Sequence, residues 1–136
     1  AELTLAHARS REQFGRPIGR FQAVQSHVVA VAGETAAARM AVDWAAAGLN
    51  GTFAVDFART AVAKIRTGSA ATVAASRAHQ VHGAVGTTPL HDLGAFTRAV
   101  WAWRDEYGSE HHWSRRLGEW LRDHADGGVW PLVTAL

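Results

Sequence analysis

A row of mostly apolar side chains between Phe21 and Leu49 constrains the fold of this chain more than any other feature. Its members recur at alternating intervals of three and four residues, which is the period of one face of an α-helix. They are Phe21, Val24, Val28, Val31, Thr35, Ala38, Val42, Ala45 and Leu49. The spacing predicts one helix of roughly 30 residues. The run Gly48-Leu49-Asn50-Gly51 ends it.

A second long helix is predicted from Thr52, a suitable N-cap residue, to His82. Its periodic face consists mainly of small residues, which let a neighbouring helix approach closely. That face comprises Ala54, Ala58, Ala61, Ile65, Gly68, Thr72 and Ala75. Because a short loop joins the two long helices, they must lie antiparallel. The predicted fold is therefore all-α, an up-and-down bundle of four helices.

Shorter segments complete the predicted bundle. A first helix is expected over 2–13, before the breaker cluster at 15–19, and two more over about 90–103 and 109–124. The bundle should occupy about 1–125, and 126–136, with Pro131, is predicted to be an irregular tail. The first helix begins without a preceding cap and the long row needs partner surface. We therefore expect a piece of a larger protein, or a subunit that completes its core by association.

Composition supports helices and excludes several classes of site. Of the 136 residues, 28 are alanine and one is tyrosine, which favours helices over sheets. The absence of cysteine excludes disulfides, thiolate metal sites and cysteine nucleophiles. No apolar run approaches the ~18 residues of a membrane helix, and no signal peptide opens the chain, so a cytoplasmic protein is expected. The basic residues are scattered, which argues against nucleic-acid binding.

Two segments carry residues suited to a nucleotide cofactor. The first runs from Arg9 to Ile18 and continues with Arg20-Phe21-Gln22. Its arginine can clamp a pyrophosphate, its aromatic ring can flank a planar ring, and its glutamine can bond a heterocycle edge. The second is Gln80-Val81-His82-Gly83-Ala84-Val85-Gly86, at the end of the second long helix. Taken alone, each segment is a weak signal, and the chemistry of the first favours an ordinary polar helix terminus.

Together, the two segments strongly resemble the signatures of the C-terminal domain of acyl-CoA dehydrogenases. Those signatures read R-x-Q-F-G-x-P-I, followed by F-Q-x-V-Q, and Q-x-H-G-G-x-G. The resemblance runs from about Leu3 to Leu121 and implies a helical bundle in a tetramer, where two subunits surround each FAD. The cofactor-binding residues it implies are Arg11, Gln13, Phe14, Phe21, Gln22, Gln80, Gly83, Ala84 and Ser109. Ala84 departs from the pattern, because it replaces a glycine.

The catalytic base is the larger departure from the family. Many members carry a glutamate in Glu-Gly-Thr or Glu-Gly-Ser, which removes the α-proton of the acyl thioester. Here the tripeptide is Tyr107-Gly108-Ser109, preceded by Glu106. One helical step turns a side chain by about 100°. We therefore expect Glu106 to face away, towards Arg104 or a neighbouring helix. Other members take the base from an earlier helix, upstream of Ala1.

The resemblance implies an FAD-dependent oxidoreductase that dehydrogenates acyl-CoA and passes electrons to an electron-transferring flavoprotein. The isolated domain should be inactive. An alternative is a non-catalytic subunit or domain that completes a partner's FAD site in a hetero-oligomer, and a third possibility is a bundle that only mediates association. No feature of the chain indicates which acyl group is used.

No metal site is predicted. His111 and His112 are adjacent and so point about 100° apart on a helix. His79 and His82 share a helix face, but the motif makes His82 a structural member of the turn. The tryptophans at 101, 103, 113 and 120 are interpreted as core and interface residues.

Overall fold

A computed structural model of the chain describes residues 1–49, 53–125 and 127–135. Short 3-10 turns cover Ile18–Arg20 and Gly83–Thr87. The other elements are α1 Glu2–Ser10, β1 Glu12–Gln13, β2 Arg16–Pro17, α2 Gln22–Ala47, α3 Phe53–His82, α4 Leu93–Asp105, α5 Glu110–His124 and α6 Val129–Ala135. The all-α prediction is confirmed. Thr52, the predicted N-cap, lies outside the described residues.

The described chain divides into two compact units. The first comprises Ala1–Ala37 and Ala70–Trp103, and the second comprises Ala38–Ser69 and Arg104–Leu136. The N-terminal part of α2 therefore groups with the C-terminal part of α3, and the reverse holds in the other unit. This grouping is the one expected of two antiparallel long helices.

Alanines of α3 form much of the buried interior. Of the predicted face of small residues, Ala58 and Ala61 are completely buried and Ala75 is 5% exposed, whereas Thr72 is exposed. The side chain of Ala54, also predicted for this face, lies outside those that the structure describes. A methyl group placed on Gly68 would lie 2.6 Å from the Glu110 side chain, so α3 and α5 approach closely there. The row along α2 is covered unevenly: Val31 is fully buried, whereas other members of the row are exposed. The exposed members are Thr35, Val42 and Leu49.

The predicted helix over 2–13 is wrong in its last three residues. The helix ends at Ser10, and β1 and β2 form an antiparallel hairpin with Gln13 opposite Arg16. The turn between them has φ of 53° at Phe14 and 76° at Gly15, which defines a two-residue hairpin turn of type I′. The helical pattern did not reveal this reversal.

The predicted irregular tail is also wrong, because α6 occupies Val129–Ala135. Pro131 is the third residue of this helix. The first N–H groups of a helix have no intrahelical acceptor, so proline's missing N–H costs no bond there. Separately, none of the helices in the described ranges is long and apolar enough to cross a membrane.

Candidate functional site

The first motif presents Phe14 at the tip of the hairpin. The side chain is 91% exposed and its backbone is left-handed, a conformation that costs an L-residue about 1–2 kcal/mol. The ring meets Phe21 edge-on, with centroids 6.0 Å apart. The Arg16 guanidinium lies 4.2 Å from the centre of the Phe21 ring. An exposed aromatic residue in a strained turn is the kind of feature that occurs at ligand sites.

Arg11 has a fixed backbone and an exposed side chain. Its N–H donates to the His7 carbonyl at 2.9 Å, and its carbonyl accepts from Ile18 N–H at 2.8 Å. The first bond closes the end of α1, and the second joins Arg11 to the 3-10 turn that follows the hairpin. Gln13 and Gln22 are exposed as well. The arrangement suits an anionic, planar ligand that approaches from outside the chain.

The second motif leaves α3 through a glycine turn. Gly83 has φ of 61° and is exposed, and a methyl built on it would meet nothing within 4 Å. Gln80 and Ala84 are exposed too, and the Ala84 carbonyl accepts from the Thr87 hydroxyl at 2.8 Å. Ala84 is therefore accessible from outside the described chain. Whether it affects a cofactor stays a prediction.

A histidine cluster connects the two motifs. The His7 ring on α1 stacks on the His82 ring at 4.3 Å between centroids, and His91 meets His82 edge-on at 4.8 Å. His82 is 5% exposed, and its Nδ1 donates to the Ala78 carbonyl at 2.8 Å. Sequence reasoning identified His82 as part of the turn but missed its two partners. His7 lies 75 residues before His82 and His91 lies nine residues after it, and the three share no helical or strand pattern in the sequence.

Burial and nearby basic groups lower the pKa of two rings of this cluster, His7 and His82. Partial burial lowers the pKa of His7, and His82, His91 and Arg11 lower it further. Burial also lowers the pKa of His82, which His91 and His79 lower further, while the bond to Ala78 opposes the shift. Both rings are therefore neutral near pH 7.

The other histidines considered above lie elsewhere. His79 bonds Thr97 Oγ1 through Nε2 at 3.0 Å, so it faces α4. Within the described part of the chain, His111 and His112 belong to no group of three possible metal ligands.

In the second unit, Tyr107 occupies an exposed turn between α4 and α5. Its φ is 59° and its side chain is 85% exposed, and Gly108 follows with φ of 105°. The indole N–H of Trp113 donates to the Tyr107 carbonyl at 2.9 Å. Ser109 is the N-cap of α5 and accepts from His112 N–H at 3.4 Å. The backbone of this loop is thus held by bonds that leave the Tyr107 side chain exposed.

The direction of the Glu106 side chain, expected towards Arg104 or a neighbouring helix, stays a prediction, but the carboxylate that pairs with Arg104 is a different one. Arg104 Nε instead donates to both carboxylate oxygens of Glu110, at 2.9 and 3.0 Å. Glu106 is exposed and lies beyond the end of α4, in a turn. The rotation of about 100° per residue holds only within a helix, so it does not describe the relation between Glu106 and Tyr107. Glu106 and Tyr107 differ because the backbone becomes left-handed at Tyr107, where φ is 59°.

The pair Arg104–Glu110 makes a pH-dependent contribution to stability. The hydrogen bond from Arg104 lowers the pKa of Glu110 below its ordinary value of 4.5. A lowered pKa means that the stabilisation is complete above about pH 4.5 and is lost as pH falls through the folded-state pKa. We expect Glu110→Gln to lower the unfolding temperature at pH 7, and this difference to shrink below pH 4.5.

Thermal unfolding of both forms across this pH range checks the prediction. Glu119→Gln is the matched control, because its pair with Arg115 is exposed and should contribute little. A pH-independent difference for Glu110→Gln would contradict the assignment.

Strain at Phe14 gives a second prediction. Asparagine tolerates the left-handed conformation better than alanine does, and both substitutions remove the ring. We therefore expect the free energy of unfolding of Phe14→Asn to be about 1 kcal/mol higher than that of Phe14→Ala. Denaturant unfolding of the two variants measures this difference. Equal stabilities would show that the turn relaxes without strain.

The predicted site residues divide between the two units. Glu106, Tyr107 and Ser109 lie in the second unit. The first unit holds Arg11, Gln13, Phe14, Phe21, Gln22, Gln80, Gly83 and Ala84. All of these are exposed except Phe21, which is half-buried. Their roles toward a cofactor stay predictions.

Comparison with known proteins gives a consistent result. Residues 1–114 match the family described as acyl-CoA dehydrogenase, C-terminal domain. The chain is 45% identical over 85 residues to a 3-sulfinopropanoyl-CoA desulfinase of Paraburkholderia xenovorans, covering 62% of this chain and 21% of that protein. It is 31% identical over 116 residues to acyl-CoA dehydrogenase IpdE2 of Mycolicibacterium smegmatis, covering 85% of this chain and 35% of that protein.

A solved structure is also similar. The fold matches a chain of the ChsE4-ChsE5 complex from Mycobacterium tuberculosis with a TM-score of 0.83 and 28% sequence identity. The match covers 89% of this chain and 33% of that one. The chain therefore spans only about a fifth to a third of the length of these relatives.

Proposed function

Because this chain belongs to the acyl-CoA dehydrogenase family, as a C-terminal domain, we propose that it contacts FAD in a flavoprotein that acts on acyl-CoA thioesters. The proposed reaction is α,β-dehydrogenation, with electrons passed to an electron-transferring flavoprotein. The names of the desulfinase and of the dehydrogenase relatives both specify CoA thioesters as substrates. The two names share a CoA thioester but differ in the reaction, so they support the proposed substrate class more strongly than the proposed dehydrogenation. The cytoplasmic location remains part of the proposal.

The observation that carries this proposal is the exposed, strained hairpin tip. Phe14 keeps a left-handed backbone and is 91% exposed, because its edge-on contact with Phe21 covers little of the ring. A ligand or partner that covers the ring buries this exposed surface. Arg11 is exposed on the same segment and offers a fork that matches a diphosphate. Both fit the adenosine diphosphate part of FAD.

The second motif supports the same ligand. Gly83 opens a cradle in which a methyl would meet nothing within 4 Å, so a nucleotide can approach the backbone there. Gln80 is exposed one turn earlier and offers both a donor and an acceptor. When bound, the flavin supplies the electron-accepting chemistry. The residues of this chain bind and orient it.

The residue at the position of the family's catalytic base favours a second candidate function. Tyr107 stands where many members have glutamate, so the carboxylate that serves as the base in those members is missing from this position. This chain then serves as the non-catalytic member of a hetero-oligomer and completes a partner's FAD site. Similarity to a chain from a two-protein complex, ChsE4-ChsE5, supports this alternative.

One experiment tests the proposal and separates the two candidates. The intact protein is purified alone and with the products of neighbouring genes, and FAD per chain and flavin reduction by acyl-CoA thioesters are measured. FAD and activity in the protein alone support a self-sufficient dehydrogenase. FAD and activity only in the mixture support the hetero-oligomer. Absence of FAD from both preparations contradicts the proposed function.

A further inference from the structure

Three histidines from three separate elements meet in the first unit. His7 comes from α1, His82 from the last turn of α3, and His91 from the turn before α4. One nitrogen of each ring lies within 4.8 Å of the corresponding nitrogens of the other two. Neither the cofactor assignment nor the base assignment above uses His7 or His91.

His82 is oriented as metal-binding histidines usually are. A carbonyl oxygen can only accept, so the 2.8 Å contact with Ala78 means that Nδ1 carries the proton. The lone pair of His82 is then on Nε2. That atom is buried and has no hydrogen-bond partner among the described residues, although the side chain is 95% buried. An unpaired acceptor in this position is costly unless something binds it.

His7 and His91 offer the other two nitrogens. In the described ranges, neither nitrogen of His7 has a hydrogen-bond partner. His91 Nδ1 accepts from Leu93 N–H at 3.1 Å. Rotation of the His91 ring can turn this lone pair towards His82, at the cost of one bond at the start of α4. Helix starts ordinarily leave such N–H groups without an internal partner.

We propose that His7, His82 and His91 bind a single zinc ion, with water as the fourth ligand. Imidazole nitrogens suit zinc, and three histidines with an open position are an established zinc geometry. Zinc–nitrogen bonds of 2.0–2.1 Å place tetrahedral ligands roughly 3.4 Å apart, so binding must draw the three nitrogens together. It must also turn the His7 ring out of its stacked position on His82, where the two ring planes differ by only 23°, because the lone pairs lie in those planes. Arg11 lies close enough to repel a cation at His7, which weakens the site without abolishing it.

The consequence for the fold is a link between the two motifs. His7 is four residues before Arg11, and His82 directly precedes Gly83. An ion held by both residues fixes the end of α1 against the end of α3. In this proposal the ion joins the two motifs and takes no part in the reaction proposed for the intact protein, although its water ligand leaves one coordination position open.

The test uses the intact, tag-free protein after removal of metals. Zinc is titrated in competition with a chromophoric chelator, and Co²⁺ absorption reports nitrogen ligation. We expect one equivalent to bind, and we expect His7→Asn and His91→Asn each to lower the affinity at least tenfold. His111→Asn is the matched control, because it removes an exposed histidine outside the cluster. It should leave the affinity unchanged.

His82 is left intact in this test because its burial makes a folding defect a danger. If the folded parent binds no zinc at one equivalent, the cluster is only a packing contact and the proposal is wrong. Equal affinity in the parent, His7→Asn and His91→Asn also overturns it, since zinc then binds elsewhere. Circular dichroism of each variant verifies that the comparison is made between folded proteins.

Discussion

In the intact protein, Arg11→Ala is expected to lower the affinity for FAD by ten- to a hundredfold. A hydrogen bond between arginine and phosphate is charge-assisted and contributes about 1.5–3 kcal/mol, where about 1.4 kcal/mol corresponds to a factor of ten. The Arg11 side chain is exposed, and its backbone bonds to His7 and Ile18 survive the substitution. Folding should therefore change little. FAD retention after dialysis and the dissociation constant measured by flavin fluorescence test the prediction.

Two further variants sharpen this experiment. Arg11→Lys keeps the charge but loses the fork, and it should recover only part of the affinity. Arg39→Ala removes the same charge from an exposed pair with Asp43, outside both motifs, and should leave FAD binding unchanged. If Arg11→Ala retains FAD as tightly as the parent, the assigned role of Arg11 is wrong.

Tyr107→Glu is expected to raise the rate of α-proton removal. A positioned general base contributes a factor of about 10²–10⁴ to a rate, and the tyrosine at this position carries no carboxylate to act as one. The turn holds residue 107 by its backbone, so a glutamate there can adopt the same place. The measurement is exchange of the substrate α-proton with deuterated solvent, followed together with flavin reduction. Exchange isolates proton removal from the later transfer of electrons.

Glu106→Gln is the companion variant, and it should leave the rate within about threefold, far below the effect of losing a general base. Glu106 is exposed, has a different backbone conformation from Tyr107, and is not the partner of Arg104. A collapse of activity in Glu106→Gln, with FAD content and folding unchanged, would identify Glu106 as the base. No gain in Tyr107→Glu would indicate that the base comes from outside this loop.

Helical periodicity predicted the long helices because their burial pattern is local. The row from Phe21 and the small residues of α3 each repeat within one helix. The first and last residues of both helices could therefore be predicted from the sequence to within a few positions. The Arg104–Glu110 pair could not be predicted in this way. Either Glu106 or Glu110 could reach Arg104, and only the turn at Tyr107 decides between them.

The hairpin and the histidine cluster were missed for different reasons. Phe-Gly is not one of the usual type I′ pairs, which are Asn-Gly, Asp-Gly and Gly-Gly, so the turn had no recognisable signal. His7 and His91 meet His82 only through tertiary packing, which no spacing in the sequence encodes. The cofactor motifs could be recognised from their residue order. The exposure of their side chains and the left-handed backbone of Phe14 depend on the folded structure.

The loop after α4 has a consequence for how this domain can change over evolutionary time. Its two ends are joined by Arg104 and Glu110, and Trp113 holds its backbone, while the Tyr107 side chain takes no part in these bonds. Residue 107 can therefore be exchanged with little risk to the rest of the protein. A scaffold of this kind can lose or regain an acid–base group by a single substitution. It is also a convenient place for laboratory selection of new chemistry.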